Sequence, residues 1–169
     1  MSVGFPSGAA PTGERPGGAK RRRPAPLNEA VSRQMSAMPN RDTGTERALR
    51  RELYKRGMRY RTHLKTLPGR PDIAFTRARI AVFVDGCFWH RCPDHGTAPK
   101  NNGKWWAEKL DANVARDRRT DGELQKLGWT TIHVWEHEDP VMAAEAIQRL
   151  WITRLQGPVF VPASDLEHP

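Results

Sequence analysis

Residues 80–90 read Ile80-Ala81-Val82-Phe83-Val84-Asp85-Gly86-Cys87-Phe88-Trp89-His90. The first five of them are continuously apolar and rich in β-branched side chains, which is typical of a strand covered on both faces. An acidic residue and a glycine follow directly, and then come cysteine, aromatic and histidine side chains. Candidate functional residues therefore begin where a buried strand is predicted to end.

Helices and further strands alternate on either side of this strand. The helices are predicted from the capping box Thr43-x-x-Glu46 to Gly57, from Lys104 to Leu127, and from Asp139-Pro140 onward. The other predicted strands cover residues 59–63, 72–75 and 130–135, and a tight turn at residues 68–71 precedes the second of these. This alternation predicts an α/β domain of two or three layers.

The chain is strongly basic. Its 28 lysine and arginine residues outnumber 19 acidic residues, which gives a formal charge of +9 and a pI near 10.2. This charge favours nucleic acid as a partner, although ribosomal and membrane-surface proteins share it. No apolar run approaches the ~20 residues that a membrane span needs, and the N-terminus lacks the hydrophobic core of a signal peptide. We therefore expect a soluble, cytoplasmic protein.

Composition divides the chain into three segments. Residues 1–38 hold six basic and two acidic residues without apolar periodicity, and we expect a disordered basic arm of net charge +4. The remainder keeps a charge of +5 (9 − 4). Residues 39–156 form the predicted folded domain, and residues 157–169 form an irregular C-terminal tail.

Two carboxylates are candidates for binding a hard cation. Asp72 follows the proline-containing turn at the start of one predicted strand, and Asp85 ends the next. Neighbouring strands could bring both acids to one edge of a sheet, where their oxygens would suit such a cation. The alternative is that Asp72 caps a turn and Asp85 is a solvated loop residue.

A third carboxylate lies in the long predicted helix. One face of that helix has the spacing 4-3-4-3 and comprises Leu110, Val114, Asp117, Asp121 and Leu124. Because an unpaired buried carboxylate is costly, either Asp117 lies at the solvated rim of this face or it has a partner such as His90. An imidazole oriented by a carboxylate is a common general base.

Cysteine and histidine residues form a possible metal site. Cys87, Cys92 and His95 lie within nine residues, and His137 could supply a fourth ligand from just beyond the 130–135 strand. Structural zinc sites use four such ligands in a tetrahedron. The alternative is two buried thiols and two surface imidazoles.

Two pairs of consecutive aromatic residues, Phe88-Trp89 and Trp105-Trp106, lie in a loop or at a helix start. Core packing explains most aromatic side chains. Exposed rings beside an active site would instead suit insertion between DNA bases.

Five motifs occur in order along the chain. They are Asp42-Thr43-x-x-Glu46, Leu67-Pro68-Gly69-Arg70-Pro71-Asp72, Val82-Phe83-Val84-Asp85-Gly86-Cys87-Phe88-Trp89-His90, Trp106-x-x-Lys109-x-x-x-Asn113-Val114-x-Arg116-Asp117-Arg118 and Val134-Trp135-Glu136. Together they closely resemble the very short patch repair (Vsr) DNA mismatch endonucleases over about residues 32–138. The resemblance implies a PD-(D/E)xK nuclease-like mixed sheet flanked by helices, with a structural zinc site. It also implies a nick on the 5′ side of the T in a T:G mismatch, the product of 5-methylcytosine deamination.

The resemblance assigns roles residue by residue. Asp72 would be the main Mg²⁺ ligand together with the backbone carbonyl of Val84, His90 the general base, Asp117 the residue that orients it, and Glu46 an acid beside the metal. The expected zinc ligands are Cys87, Cys92, His95 and His137. The residues expected to contact DNA are Phe88, Trp89, Trp106, Arg70, Lys109 and Arg116.

One departure from the family pattern concerns Asp85, which stands where some members have histidine. The second catalytic imidazole of those members is therefore absent at this position, and Asp85 becomes a further candidate ligand for the metal. The expected partner is double-stranded DNA with a T:G mismatch. Mismatch-repair proteins and a companion cytosine-5 methyltransferase are further candidates, and we expect a monomer.

Two other functions compete with mismatch nicking. One is a restriction or defence nuclease on the same scaffold, and the other is a zinc-stabilised DNA-binding module without catalysis. The presence of Asp72, His90 and Asp117 together argues against the second, since binding alone needs none of them.

Overall fold

The computed structural model of the chain describes Glu29, Arg33 and residues 42–156. Glu29 and Arg33 are helical and exposed, and the rest of the predicted arm over residues 1–38 lies outside the described residues, as does the predicted tail over residues 157–169. Within the described part of the chain, no helix is both long and apolar enough to cross a membrane.

The described residues form a mixed α/β domain. Its elements are, in chain order, α1 (Gly44–Lys55), β1 (Arg61–Thr62), β2 (Ile73–Phe75), β3 (Ile80–Asp85), α2 (Gly103–Lys126), β4 (Thr130–Trp135) and α3 (Pro140–Gln156). The four strands form one sheet in the order β1-β2-β3-β4. The first two pairings are antiparallel, and β3 pairs with β4 in parallel. The predicted mixed sheet with flanking helices is confirmed.

Local signals explain where the helices begin and end. The Thr43 side chain accepts a hydrogen bond from the Glu46 backbone, and Glu46 returns one, so α1 starts at the predicted capping box. Gly57 follows the end of α1 with a φ of +76°, a conformation that favours glycine. The Asp139 carboxylate accepts hydrogen bonds from two backbone N–H groups in the first turn of α3.

The main core lies between one face of the sheet and the helices α1 and α3. It is built from Leu49 and Leu53 of α1, Ile73 and Phe75 of β2, Ile80 and Val82 of β3, Val134 of β4, and Ala143, Ala144 and Ile147 of α3. Burying each of the large side chains stabilises the fold by roughly 1.5–3 kcal/mol. β3 is thus the internal, covered strand that its apolar run predicts.

The opposite face of the sheet lies under α2. Successive side chains of a strand point to opposite faces, so Phe83 and Asp85 point away from the core that holds Val82 and Val84. Phe83 stacks on His133 of β4, with ring centroids 5.3 Å apart. The sequence left two and three layers open, and this arrangement is the three-layer one. The polar side chains of β3 and β4 therefore face α2 at the edge where both strands end.

Candidate active site

Asp72 lies at the entrance to β2, immediately after the predicted turn. Gly69 and Arg70 have φ values of +70° and +55°, and Pro71 is buried. Asp72 Oδ2 accepts a hydrogen bond of 2.8 Å from the backbone N–H of Val84 in the antiparallel neighbour β3. Burial of the carboxyl raises the pKa of Asp72. The Val84 hydrogen bond opposes this shift, and the charge of Glu46 adds to it.

Glu46 is a buried carboxylate that the helix cap and an arginine both use. Its oxygens accept hydrogen bonds from the backbone of Asp42 and Thr43, and Glu46 Oε2 lies 3.0 Å from Arg50 Nη2. Arg50 also contacts Asp42, His63 and the carbonyl of Asp72. These contacts hold the start of α1 against the entrance of β2. Sequence reasoning missed both Arg50 and His63.

His90 and Asp117 are in direct contact. His90 Nδ1 lies 2.7 Å from Asp117 Oδ2, and the two side chains are 22% and 23% exposed. The carboxylate can only accept, so Nδ1 carries the proton and Nε2 is left to accept one. Of the two alternatives for Asp117, the structure therefore has the paired one.

Asp85 is also near His90, but its main partner is different. Asp85 Oδ1 lies 3.7 Å from His90 Nδ1, whereas Asp85 Oδ2 lies 2.6 Å from Nδ1 of His133. The other ring nitrogen of His133 lies 3.1 Å from Asp121 Oδ1. Asp72 and Asp85 lie at the same edge of the sheet, as expected, because Asp72 Oδ2 binds the N–H of Val84, the residue before Asp85.

The four expected zinc ligands are brought together. One ligand atom from each of Cys87, Cys92, His95 and His137 lies within 4.8 Å of the others. Sγ of Cys87 is 3.0 Å from Nδ1 of His137, and Sγ of Cys92 is 3.8 Å from the same atom. A tetrahedral zinc ion needs four nitrogen or sulfur atoms in such a cluster, so the donor set fits zinc. Both cysteines are buried and both histidines are exposed, as the alternative of two buried thiols and two surface imidazoles also has them.

The environment of Cys87 favours the neutral thiol in the absence of a bound cation. Both cysteines are free thiols and buried. Burial raises the pKa of Cys87 to about 11, and its neighbours Cys92 and Glu136 add to the shift. Glu136 also accepts a 2.7 Å hydrogen bond from the Cys87 backbone, which fixes the loop after β3 to the end of β4.

Four aromatic rings pack against one another at the start of α2. Trp106 lies 5.3 Å from Phe88, 5.9 Å from Trp89 and 4.9 Å from Trp105 between ring centroids. All four residues are only partly buried. The buried Asn113 of α2 donates to the Trp89 carbonyl at 3.1 Å, so the loop that carries two of the rings is tied to the helix.

The three cationic side chains expected to contact DNA are exposed. Arg70 lies in the turn before Asp72, and Lys109 and Arg116 lie on α2. Arg116 reaches Asp117 at 3.5 Å and is therefore next to the His90 pair.

Comparisons with known proteins agree with the motifs. The family model described as DNA mismatch endonuclease Vsr matches residues 28–94. The type II nicking enzyme V.NaeI of Lentzea aerocolonigenes is 46% identical over 129 residues, which are 73% of this chain and 78% of that protein. The DNA mismatch endonuclease Vsr of Escherichia coli is 40% identical over 106 residues, which are 62% of this chain and 68% of that protein. The type II nicking enzyme V.XorIIP of Xanthomonas oryzae is 41% identical over 108 residues, 62% of this chain and 77% of that protein. The chain belongs to the Vsr family of DNA endonucleases.

Proposed function

We propose that this endonuclease nicks one strand of DNA on the 5′ side of the T in a T:G mismatch, within very short patch repair. The observation that supports it most directly is the 2.7 Å contact between His90 and Asp117 at the sheet edge that also holds Asp72. Asp72 Oδ2 binds the N–H of Val84, and the following residue, Asp85, lies 3.7 Å from His90. These contacts place the oxygen atoms proposed to bind a cation close to His90, the proposed general base.

His90 acts as the general base. Its proton remains on Nδ1 and is donated to Asp117, so Nε2 is free to remove a proton from the attacking water. Asp117 holds the ring in that tautomer and stabilises the imidazolium that forms, as a carboxylate does beside a catalytic histidine elsewhere. Both side chains are partly exposed, so Nε2 would be accessible to a phosphate in the DNA backbone.

Asp72 and the carbonyl of Val84 would hold Mg²⁺, with Glu46 beside them. The donor set fits a hard cation because all three groups offer oxygen, and a partly buried carboxylate is a suitable anchor for Mg²⁺. When bound, the ion would stabilise negative charge on the scissile phosphate and on the leaving oxygen. Arg50 lies 3.0 Å from Glu46 and 3.4 Å from the carbonyl of Asp72, so it holds this acid near the start of β2.

Cys87, Cys92, His95 and His137 would hold a structural zinc ion. They come from the loop after β3 and from the residues after β4, so the ion would join the two strands at the edge where catalysis takes place. The loop from Cys87 to His90, which the zinc ion would hold at Cys87, carries Phe88 and Trp89. These two rings and Trp106 would enter the DNA beside the mismatch, where weakened pairing lowers the cost of unstacking.

A restriction-associated nicking activity is the second candidate, because several similar relatives carry the name type II nicking enzyme. Those names favour a DNA nick and leave the choice of mismatch open. A DNA-binding module without catalysis is less favoured, since binding gives no reason for the His90–Asp117 pair.

A panel of otherwise identical duplexes tests the proposal. The duplexes carry a T:G mismatch, the matched T:A or C:G pair, or 5-methylcytosine paired with G, and nicking is measured with Mg²⁺ and with EDTA. Nicking of the T:G duplex alone, lost in EDTA, supports the proposal. Equal nicking of matched or methylated duplexes would favour the second candidate, and binding without any nick would favour the third.

A further inference from the structure

His133 of β4 lies between two carboxylates from different elements. Its Nδ1 is 2.6 Å from Asp85 Oδ2 at the end of β3, and its Nε2 is 3.1 Å from Asp121 Oδ1 on α2. The ring also stacks on Phe83, which fixes its plane. The Asp85 side chain is 9% exposed and that of Asp121 is 35% exposed, so the contact with Asp85 is the more buried of the two.

This geometry determines the protonation of His133. A carboxylate can only accept a hydrogen bond, and a neutral imidazole has only one N–H. Both contacts are therefore made only by the imidazolium, with a proton on each nitrogen. The hydrogen bond to Asp85 raises the pKa of His133 to about 9, with a further contribution from Asp121, against the opposing effect of burial. His133 is thus a cation at neutral pH.

The cation matters because two carboxylates compete for one proton. In the neutral form that a general base requires, His90 has a single N–H at Nδ1, with Asp117 at 2.7 Å and Asp85 at 3.7 Å. A buried carboxylate is costly without a hydrogen-bond donor, so Asp85 without His133 would compete for His90, which lies 3.7 Å from it. Because His133 binds Oδ2 of Asp85, only Oδ1 of Asp85 lies beside His90. The Nδ1–H of His90 therefore remains hydrogen-bonded to Asp117.

We propose that His133 is a positioning residue for strand nicking, which holds Asp85 away from His90 so that His90 stays paired with Asp117. This inference rests on the proposed nicking function. His133 would make no hydrogen bond to DNA, because both of its ring nitrogens already bind carboxylates. Asp121, which binds the other ring nitrogen of His133, lies on α2. The same helix carries Asp117, so α2 helps to position both His133 and the His90–Asp117 pair.

Four variants test the proposal. His133→Phe keeps a ring to stack on Phe83 and removes both N–H donors, and Asp85→Asn removes the competing charge. The double variant His133→Phe/Asp85→Asn removes both partners together. Ile132→Val, on the same strand but in contact with the main core, is the control for a small loss of stability.

At saturating DNA, His133→Phe should nick about tenfold or more slowly, the usual loss when a group that orients a functional residue is removed. Its DNA affinity should stay near that of the original chain, and Ile132→Val should nick at the original rate. Since His133 acts through Asp85, the double variant should recover part of the rate that His133→Phe loses. A rate for His133→Phe equal to that of Ile132→Val, or no recovery in the double variant, would overturn the inference.

A measurement on the unaltered chain covers the case in which His133→Phe does not fold. NMR of nitrogen-labelled histidine should show both ring nitrogens of His133 protonated near neutral pH. A neutral His133 ring would overturn the inference without any variant. An unaltered chain that nicks no DNA would instead refute the proposed function, so the two failures are distinguishable.

Discussion

Asp72 is the residue on which the proposed chemistry most depends. Its carboxylate is about one-fifth exposed, and one oxygen is already used by the N–H of Val84. The side chain is therefore held in one orientation before any cation binds. A ligand with a fixed orientation loses little conformational freedom when the cation arrives.

Asp72→Asn should lower nicking by about a thousandfold or more, because a metal ion contributes several kcal/mol of charge stabilisation. DNA binding should persist, since the substitution removes a negative charge near phosphate. Single-turnover nicking and a binding titration measure the two effects. The control is Asp111→Asn, which removes an equivalent charge from an exposed position on α2 and should nick normally. Full activity of Asp72→Asn would refute the assigned metal site.

Sequence alone predicts the residues of the site better than their pairing. The contact between His90 and Asp117 was one of two alternatives, because helical spacing gives the face of Asp117 but not what packs on it. The Asp85–His133 contact was not predicted. It depends on the parallel register that sets Phe83 beside His133, and no local pattern specifies that register.

At the scale of elements, the turn before β2 positions Asp72 through a close approach of backbone to α2. A Cβ on Gly69 would lie 2.4 Å from Thr120 Cγ2 and 3.2 Å from the Phe83 ring. The φ of +70° is also unfavourable for other residues. Glycine is therefore required here for space and for conformation. The sequence motif predicts the turn but not its contact with α2.

Gly69→Ala should destabilise the fold by roughly 2–5 kcal/mol, the sum of left-handed backbone strain and overpacking. Gly57→Ala is the matched control, because its φ is +76° with no atom within 4 Å of the added carbon. It should cost only the strain, about 1–2 kcal/mol. Chemical denaturation of both variants measures the difference. Equal losses would mean that Thr120 moves aside and that the close approach has no energetic role.

The aromatic cluster has features of both roles considered for it, core packing and contact with DNA bases. Its rings pack on one another, as core residues do, yet each stays partly exposed beside the proposed catalytic edge. Trp106→Ala should therefore reduce the preference of nicking for T:G over matched DNA, since base–aromatic stacking contributes ~1–3 kcal/mol per base. Trp105→Ala removes a neighbouring ring of the same cluster and should leave the preference unchanged. The contrary result is that alanine variants of Phe88, Trp89 and Trp106 all have a lower melting temperature and the original preference for T:G over matched DNA. That result would leave packing as the only role of these rings.

At the scale of the whole molecule, the cysteine–histidine cluster closes the edge of the sheet. Cys87 follows β3 and His137 follows β4, so a zinc ion would link the ends of two parallel strands and the loop over residues 87–95. Zinc binding contributes directly to folding free energy in such sites. The spacing of these ligands is irregular in sequence, and only the parallel pairing of β3 with β4 brings His137 to the other three.

Cys92→Ala should lose bound zinc and lower the melting temperature together. Elemental analysis of the purified protein and thermal unfolding measure both quantities. Asp94→Ala changes an exposed residue between two of the ligands and should keep the metal and the melting temperature. A Cys92→Ala protein that retains stoichiometric zinc, or a stable unaltered protein without zinc, would contradict the assignment.

Charge is distributed unevenly along the chain, and this bears on how it finds DNA. Residues 1–38 carry six lysines and arginines and a net charge of +4 of the total +9. Each cation that neutralises a DNA phosphate releases a counterion and makes binding more sensitive to salt. The residues proposed to recognise a mismatch and to cut the strand all lie beyond residue 38, so this segment should add affinity without adding specificity.

Deletion of residues 1–38 should weaken binding to matched and T:G duplexes by the same factor. It should also reduce the slope of log affinity against log salt, by up to about 5 if all six cations contact phosphates at 0.9 each. Nicking at saturating DNA should not change, because the site is intact. A variant with Lys20-Arg21-Arg22-Arg23 replaced by serine isolates four of these six cations and should give about two-thirds of the change in slope. An unchanged slope would show that these charges do not contact DNA, and a larger loss for T:G than for matched DNA would show that they take part in recognition.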